Sequence, residues 1–215
     1  MEIEQHRHPG FSRQNTFGLL RHGITLWNEE KRIQGSLDSE LSPTGIENTV
    51  RWAENLKPQK WTRILASDLG RARQTVSILN TALALPTTCD KRLRELHWGE
   101  WEGIKLKDIS IRNPDVARES IDAGWDFRPP GGESRREGLM RVQAALADAA
   151  SLWPNENILV VSHHGILKCL IFHILKLSFI PGEVISLNKN ALHRIFCRHG
   201  SYSCDKLNIL PDPPS

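Results

Sequence analysis

A cation, an imidazole and a glycine directly follow a short apolar run near the start of this chain. The run from Phe17 to Leu20 has the pattern of a buried strand, and Arg21, His22 and Gly23 come next. Open α/β sheets bind ligands at the carboxyl edge, where such a strand would place these side chains. We therefore interpret His22 as a candidate nucleophile, although a tripeptide of this kind is not specific by itself.

Two further apolar runs also lead directly into polar or ionisable residues. The run Arg63–Ser67 is followed by Asp68, which we predict to cap a helix that carries Arg71 in its first turn. The run Ile158–Val161 leads through a serine to His163. If these strands are neighbours in one sheet, their ends converge with the end of the first strand.

The converging side chains would suit a phosphate monoester, which is a dianion near neutral pH. The planar guanidinium groups of Arg21 and Arg71 can each bind two phosphate oxygens. The first turn of the helix that holds Arg71 adds backbone N–H donors and a favourable dipole. The amide of Asn28 supplies another candidate donor in the polar segment that follows the first strand.

Covalent capture is the chemistry that we predict for such a pocket. His22 would attack phosphorus as a neutral imidazole, with a backbone carbonyl fixing its tautomer, and water would then release the phosphate. His163, as an imidazolium, would stabilise charge on the transferring oxygens. A carboxyl group would protonate the leaving oxygen, and burial or a nearby dianion favours its protonated form. The residues alone leave three candidates for this carboxyl group: Glu95, Glu100 and Glu102.

Alternating strands and helices must position these residues. Strand–helix alternation of this kind predicts a helix-wrapped sheet. Residues 87–132 are the least regular part, and we expect loops there with one or two short helices. The helices and later strands that we predict are a helix from Ser42-Pro43 with Ile46, Val50 and Ala53 on one face; a helix with the stripe Leu69, Ala72, Val76, Leu79 and Leu83; a helix opened by a Ser134–Glu137 capping box with Leu139, Val142, Leu146, Ala149 and Leu152 buried; a helix from Ile166 to Leu175; and one to three strands within Ile185–Leu187 and His193–Leu210.

Length and charge exclude several classes of protein. The chain has 215 residues and a net charge of +3, so one α/β domain is expected and no electrostatic footprint of a nucleic-acid binder is present. No apolar run approaches the roughly 20 residues that span a membrane. We expect a flexible polar leader over residues 1–15, in which His6 and His8 belong to a frayed terminus, and a single domain over residues 16–210.

Histidine and cysteine spacing gives no support for a metal site or a cofactor. His163 and His164 are adjacent, and neighbours on a strand point to opposite faces, so both cannot readily bind one ion. The four cysteines form no Cys-x-x-Cys pair, which indicates reduced thiols in a cytoplasmic protein. The remaining histidines are interpreted as structural: His97, His173, His193 and His199.

In this order, the motifs of the chain resemble those of the histidine phosphatase superfamily, the phosphoglycerate mutase-like proteins, from about residue 16 to about residue 200. The matching residues are Leu20-Arg21-His22-Gly23-Ile24-Thr25 with Asn28; Gln34-Gly35; Leu41-Ser42 and Gly45; Ser67-Asp68-Leu69-Gly70-Arg71-Ala72 with Gln74-Thr75; Leu93-Arg94-Glu95 with Gly99, Trp101, Glu102 and Gly103; Gly131-Gly132-Glu133-Ser134; and Val161-Ser162-His163.

The resemblance implies a three-layer α/β/α sandwich with a mostly parallel central sheet. It also implies a phosphohistidine at His22, and it selects Glu95 as the proton donor and acceptor. The implied phosphate pocket consists of Arg21, Asn28, Gln34, Gly35, Arg71, His163 and His164, without a metal. His164 is a departure, because the family usually has glycine there, and a side chain at this position would narrow the pocket or change the backbone.

The segment between Gly103 and Pro130 decides which branch of the family the chain resembles. This lid is compact here, whereas it is longer in the cofactor-dependent mutases, and lids that exclude water protect a phosphoryl enzyme from hydrolysis. We therefore expect a phosphatase that acts on a small phosphorylated metabolite, as a monomer or homodimer. A phosphoglycerate mutase, an alpha-ribazole-phosphate phosphatase, a sugar-bisphosphate phosphatase, a metal-dependent hydrolase and a binding module without turnover remain the alternatives.

Overall fold

Strands and helices alternate along most of the chain. The computed structural model describes residues 14–179 and 185–213. Its strands are β1 (Gln14–Arg21), β2 (Arg63–Ala66), β3 (Thr87–Cys89), β4 (Asn157–Ser162), β5 (Leu192–Arg198) and β6 (Ser201–Ile209). Its helices are α1 (Leu26–Glu29), α2 (Pro43–Leu56), α3 (Gly70–Leu83), α4 (Leu106–Arg112), α5 (Val116–Asp122), α6 (Arg135–Leu152) and α7 (His164–Ile174), with 3₁₀ turns at Lys57–Gln59, Lys91–Leu93, Gly99–Trp101 and Gly124–Asp126.

One sheet joins all six strands in the order β3-β2-β4-β1-β5-β6. The first four strands in this order are parallel, while β5 and β6 pair in antiparallel fashion at one side. Because β2, β4 and β1 are adjacent, their carboxyl ends lie side by side. The predicted convergence of the three strand ends is therefore confirmed.

Helices cover both faces of the sheet. Along β4, Ile158 and Val160 belong to the cluster that includes buried residues of α6 and α7, whereas Leu159 and Val161 belong to the cluster that includes those of α2 and α3. A strand that is buried on both faces is expected to be apolar throughout, as this one is. The three-layer sandwich with a mostly parallel sheet is confirmed.

Two of the three predicted helix caps are present. Ser42 accepts a hydrogen bond from the N–H of Gly45 (3.2 Å), and Ser134 forms a complete capping box with Glu137.

The third predicted cap, at Asp68, is wrong. The residue before α3 is Leu69, which makes no side-chain cap, and Asp68 instead binds Arg94 with both carboxylate oxygens (2.6 and 2.7 Å). A bidentate arginine partner satisfies the carboxylate more fully than a single backbone N–H.

The predicted buried faces are partly wrong where the docking angle of a helix decides burial. Ile46 and Val50 on α2 are 39% and 50% exposed, because α2 packs through the neighbouring stripe that contains Thr49 and Trp52. Leu152, the last residue of α6, is 69% exposed. The stripe on α3 is buried as predicted up to Leu79.

Irregular segments also depart from the prediction. Residues 185–187 form no strand, while the segment from His193 holds most of β5 and all of β6. The short strand β3 and the single-turn helix α1 lie in segments that we interpreted as loops. Between the loops, α4 and α5 are the one or two short helices that we predicted.

The predicted leader lies mostly outside the described residues, as do His6 and His8. Its last two residues, Gln14 and Asn15, are the first residues of β1, and Asn15 donates to the carbonyl of Trp153 (2.5 Å). Among the helices that the structure describes, none is long and apolar enough to cross a membrane.

Candidate active site

His22 lies at the carboxyl end of β1 and is 4% exposed. Its backbone N–H donates to the carbonyl of Ser162 (2.9 Å), which ties it to the end of β4. The imidazole Nδ1 is 2.7 Å from the carbonyl oxygen of Gly23. Because a carbonyl only accepts, the proton is on Nδ1, and Nε2 keeps a free lone pair.

Burial, together with the nearby cations Arg21 and Arg71, holds the pKa of His22 well below its usual range. The imidazole is therefore neutral near pH 7, as a nucleophile must be. The predicted tautomer and carbonyl partner are both present.

Arg21 is oriented by the side chain of Asn28. Its Nη2 donates to Asn28 Oδ1 (2.8 Å), while Arg21 Nε is buried without a hydrogen-bond partner. The same Oδ1 accepts from the N–H of Thr25 (3.2 Å) in the capping box of α1. We expected Asn28 to bind phosphate itself; here its oxygen positions Arg21.

Arg71 is 1% exposed, and four of its five N–H donors are already bound. They reach the carbonyls of Gly35 (2.7 Å) and Leu37 (2.7 Å), the carboxylate of Asp38 (2.8 Å) and Nδ1 of His163 (3.2 Å). We expected Arg71 chiefly as a phosphate ligand. In this structure it also fixes the loop at residues 35–38 and the second imidazole.

His163 is fully buried at the end of β4. Its Nδ1 accepts from Arg71 Nε, so Nε2 carries the proton and faces Ser67 Oγ at 2.8 Å. The two imidazole rings of His22 and His163 are 5.0 Å apart between centroids.

Burial, then His22 and the nearby arginines, hold the pKa of His163 well below its usual range. The ring is therefore neutral, not the imidazolium that we expected. A bound dianion would raise the pKa of His163 and so favour the imidazolium.

Glu95 is half-buried at the amino end of α7. Its carboxylate accepts from the backbone N–H groups of Gly165 (3.1 Å), Ile166 (3.1 Å) and Leu96 (2.9 Å). A Cβ at position 165 would lie 2.5 Å from Glu95 Oε1, so glycine is needed there for the carboxylate to reach the helix. The charge of Glu95 acts on the pKa values of both Arg21 and Arg71, which places it beside them.

The other two carboxylate candidates do not share this position. Glu100 is exposed. Glu102 Oε1 accepts from the backbone N–H groups of Ser36 (2.8 Å) and Trp98 (3.0 Å). It packs against Gly35, where φ is +55° and a Cβ would lie 2.0 Å from the carboxylate, so Glu102 shapes the loop.

Gln34 and His164 lie at the edge of the arrangement. Gln34 Nε2 donates to Thr25 Oγ1 (2.8 Å), and Gln34 Oε1 is buried without a partner, so the residue supports the α1 turn. His164 is the first residue of α7 and half-buried. Burial, with Arg21 as the nearest charge, lowers the pKa of His164 to about 3.

A cavity of about 330 Å³ opens beside Glu95. A second space, of about 30 Å³, lies behind His22 against Thr49 and Thr75. The residues around the larger cavity are mostly charged: Ser36, Lys91, Arg94, Glu95, His97, Arg128, Gly132, Glu133, Glu137 and Arg141.

The structure thus brings Arg21, His22, Arg71 and His163 together with Glu95 close by. Over residues 14–179 and 185–213, no group of three or more His, Cys, Asp or Glu side chains is arranged to hold a metal ion. A neutral imidazole with a free nitrogen, two buried guanidinium groups and a carboxylate are the parts that phosphoryl transfer through histidine requires.

Several supporting residues were not predicted. Ser67 binds His163, and Thr75 Oγ1 accepts from the N–H of Gly23 (2.9 Å). Asp38 binds the N–H groups of Gly70 and Arg71 and so takes the place of the missing cap on α3. Ser67 and Thr75 lie within the family motifs quoted above, so the sequence did indicate that they belong to the site. Asp38 lies in a loop whose sequence has no recognisable pattern.

Comparisons with known proteins agree with this site. Residues 17–210 match the sequence profile of the histidine phosphatase superfamily (branch 1). The chain is 38% identical over 177 residues to the probable phosphoglycerate mutase GpmB of Enterobacter sp. (strain 638), which covers 82% of each protein.

Solved structures of phosphatases and related proteins have the same fold as this chain. A mycobacterial glucosyl-3-phosphoglycerate phosphatase is 29% identical and superposes with a TM-score of 0.80, covering 92% of this chain and 100% of that one. YhfR of Bacillus stearothermophilus is 26% identical with a TM-score of 0.80, covering 93% and 98% of the two chains. The chain belongs to branch 1 of the histidine phosphatase superfamily.

Proposed function

We propose that this protein is a metal-independent phosphomonoesterase that works through a phosphohistidine at His22. The observation that carries the proposal is the state of this imidazole: Nδ1–H is bound to the carbonyl of Gly23, Nε2 is free, and burial keeps the ring neutral. Arg21 and Arg71 supply positive charge at the same place, and the unpartnered Nε of Arg21 is a donor without another use.

In the first step, Nε2 of His22 forms a bond to phosphorus and the bond to the ester oxygen breaks. Glu95 gives the proton that the leaving oxygen needs, and the arginines stabilise charge on the transferring oxygens. His163 adds its N–H to them once that N–H leaves Ser67 Oγ. In the second step, Glu95 takes a proton from water, which attacks phosphorus and frees His22. The products are an alcohol and inorganic phosphate.

Small phosphorylated metabolites are the substrate class that we propose, and no cofactor is required. The cavity beside Glu95 is lined by charged groups such as Lys91, Arg94 and Arg128, which suits a polar leaving group over an apolar one. The two relatives compared above are named for activity on phosphoglycerate and on glucosyl-3-phosphoglycerate, and both compounds are of this class.

Hydrolysis is favoured over the mutase reaction because the lid is short. The segment from Ile104 to Arg128 contains the two seven-residue helices α4 and α5 and one 3₁₀ turn, and the cavity that Arg128 borders is open to water. A mutase requires that water be kept from the phosphoryl enzyme. The likeness to GpmB keeps phosphoglycerate mutase as the second candidate.

The test is phosphate release from a panel of phosphomonoesters, including 3-phosphoglycerate, in excess chelator. The variant is His22→Ala, and His97→Ala on the cavity rim is the matched control. We expect release by the wild type and by the control, with loss of about 10³-fold or more in His22→Ala. Activity in His22→Ala would refute the nucleophile, and loss in chelator would refute the metal-free mechanism. Isomerisation of 3-phosphoglycerate without phosphate release would identify a mutase.

A further inference from the structure

Arg141 on α6 binds the main chain around Glu95 with unusual completeness. Its Nη1 donates to the carbonyls of Arg92 (2.7 Å) and Arg94 (2.6 Å), and its Nη2 donates to the carbonyl of Glu95 (2.9 Å). Nε and Nη2 also bind both carboxylate oxygens of Glu133 (2.7 and 2.9 Å). All five N–H donors of the guanidinium are therefore bound.

The segment that Arg141 binds has little regular structure of its own. Residues 94–98 belong to no helix or strand, and only the short 3₁₀ turn Lys91–Leu93 precedes them. The remaining carbonyl of residues 92–95, at Leu93, accepts from Ser162 Oγ (2.7 Å). Four consecutive carbonyls are thus held by side chains from α6 and β4, which supply the partners that secondary structure does not.

Glu133 extends the same contact to the other side of Glu95. Its carboxylate accepts from the N–H of His97 (3.3 Å), and its backbone N–H donates to the carbonyl of His97 (2.8 Å). The Glu133–Arg141 pair is largely buried, with 17% and 20% of the two side chains exposed. Residues 92–97 are therefore held by Arg141 of α6 and by Glu133, just before α6, on both sides of the predicted acid.

We propose that Arg141 is a positioning residue for the reaction, which acts through Glu95. The carboxylate end of Glu95 is held by the N–H groups of Gly165 and Ile166, and its main chain is held by Arg141. With both ends fixed, the carboxylate keeps one position beside the leaving oxygen. This inference rests on the proposed function, because it assumes that Glu95 delivers the proton.

A lysine cannot replace this residue. An ammonium group has three donors around one nitrogen, whereas the guanidinium has five in a planar fork that here reaches three carbonyls and a carboxylate. Arg141→Lys keeps the charge and loses most of the contacts, so it separates geometry from electrostatics.

The experiment compares kcat/KM for two esters that differ in their need for an acid. Glycerol 3-phosphate has an alkoxide leaving group that must be protonated, while p-nitrophenyl phosphate releases a stable phenolate. Since kcat/KM covers the steps up to phosphoryl transfer, it reports on the acid even if release of phosphate from histidine limits kcat. The variants are Glu95→Gln, Arg141→Met, Arg141→Lys and the double variant Glu95→Gln/Arg141→Met.

Arg63→Met is the matched control. Arg63 forms a bidentate pair with Glu156 at similar exposure (18% and 27%). It lies at the amino end of β2, whereas the reacting groups lie at the carboxyl ends of the parallel strands. We expect Glu95→Gln to lower kcat/KM about 10²-fold or more for glycerol 3-phosphate, and Arg141→Met and Arg141→Lys about 10- to 100-fold. For p-nitrophenyl phosphate we expect kcat/KM to fall by less than about 3-fold in each of these variants. The loss of kcat/KM in the double variant should equal the loss in Glu95→Gln.

The outcomes separate the two proposals. The positioning role would be overturned if kcat/KM fell equally for both esters in the Arg141 variants. It would also be overturned if Arg63→Met showed the same selective loss of kcat/KM for glycerol 3-phosphate. An additive loss in the double variant would also overturn it, because Arg141 would then act without Glu95. Equal loss on both esters in Glu95→Gln would instead contradict the acid in the proposed function. If Arg141→Met does not fold, Arg141→Lys carries the same comparison.

Discussion

The floor of the pocket and the segment that we expect to form its lid differ in the exposure of their side chains. On the floor, defined as residues 21–23, 67–71 and 162–165, His22, Arg71 and His163 are buried and each is hydrogen bonded. In the lid, residues 104–128, the side chains of Leu106 and Ile111 are 59% and 74% exposed. The floor is therefore preorganised for reaction, whereas part of the lid presents apolar side chains to solvent.

The largest effect is expected from breaking the floor at Arg71. Arg71→Met removes the ion pair with Asp38, leaves the carbonyls of Gly35 and Leu37 without this donor, and removes positive charge from the pocket. We expect kcat/KM to fall about 10²- to 10³-fold, and unfolding free energy to fall by about 1–3 kcal/mol. Phosphate release measures kcat/KM, and urea denaturation measures the unfolding free energy. Near-normal turnover would mean that the pocket does not use Arg71.

A core substitution in each region sharpens the comparison. Leu159 in β4, below the floor, is 0% exposed, and Leu159→Ala should cost about 2–5 kcal/mol of unfolding free energy. Ile111→Ala in the lid should cost less than about 0.5 kcal/mol, because the side chain is already in water. Equal costs in urea denaturation would show that the lid is packed in solution against something that covers Ile111.

A smaller effect than that of either substitution in or below the floor is expected from pH, because the buried histidines of the floor contribute a pH dependence of stability. The folded pKa values of His22 and His163 lie below the unfolded value of about 6.5, so the unfolded chain binds protons first as pH falls. Stability from these groups is full above about pH 6.5 and is lost below it, by up to about 1.4 kcal/mol per pH unit for each histidine.

Urea denaturation at pH 7.5 and pH 5.5 measures this dependence. The fall in unfolding free energy between the two pH values should be smaller in His22→Asn and His163→Asn than in the wild type. His97→Asn serves as the control, because His97 is half exposed at the cavity rim. An unchanged pH dependence in both floor variants would contradict the neutral, buried imidazoles.

The positions of the reacting groups were more predictable than their partners. Apolar runs that end in Arg21-His22 and in His163 indicate strand ends, and parallel neighbours bring strand ends together. The choice between Glu95 and Glu102 depends on which one reaches the amino end of α7, which no local pattern records. The roles of Asn28 and Gln34 as supports for Arg21 and Thr25 arise from contacts made only after folding.

The prediction of which helix faces are buried failed for a similar reason. Periodicity predicts that one stripe of α2 is buried, but the position of α3 decides which stripe, and Thr49 and Trp52 are preferred to Ile46 and Val50. Arg141 was missed because an arginine within an amphipathic helix has the pattern of a surface residue. Its function depends on an irregular segment about 45 residues earlier in the chain, whose carbonyls need donors.

The strand order has a consequence for synthesis of the chain. Among the strands that the structure describes, β1, which ends next to His22, pairs with β4 and β5, and these end at residues 162 and 198. During synthesis from the amino end, β1 has no sheet partner until most of the chain has been made, and the contacts that complete the sheet are long-range and slow to form. A nascent or truncated chain that stops before β4 leaves both edges of an apolar strand open to pairing with other chains.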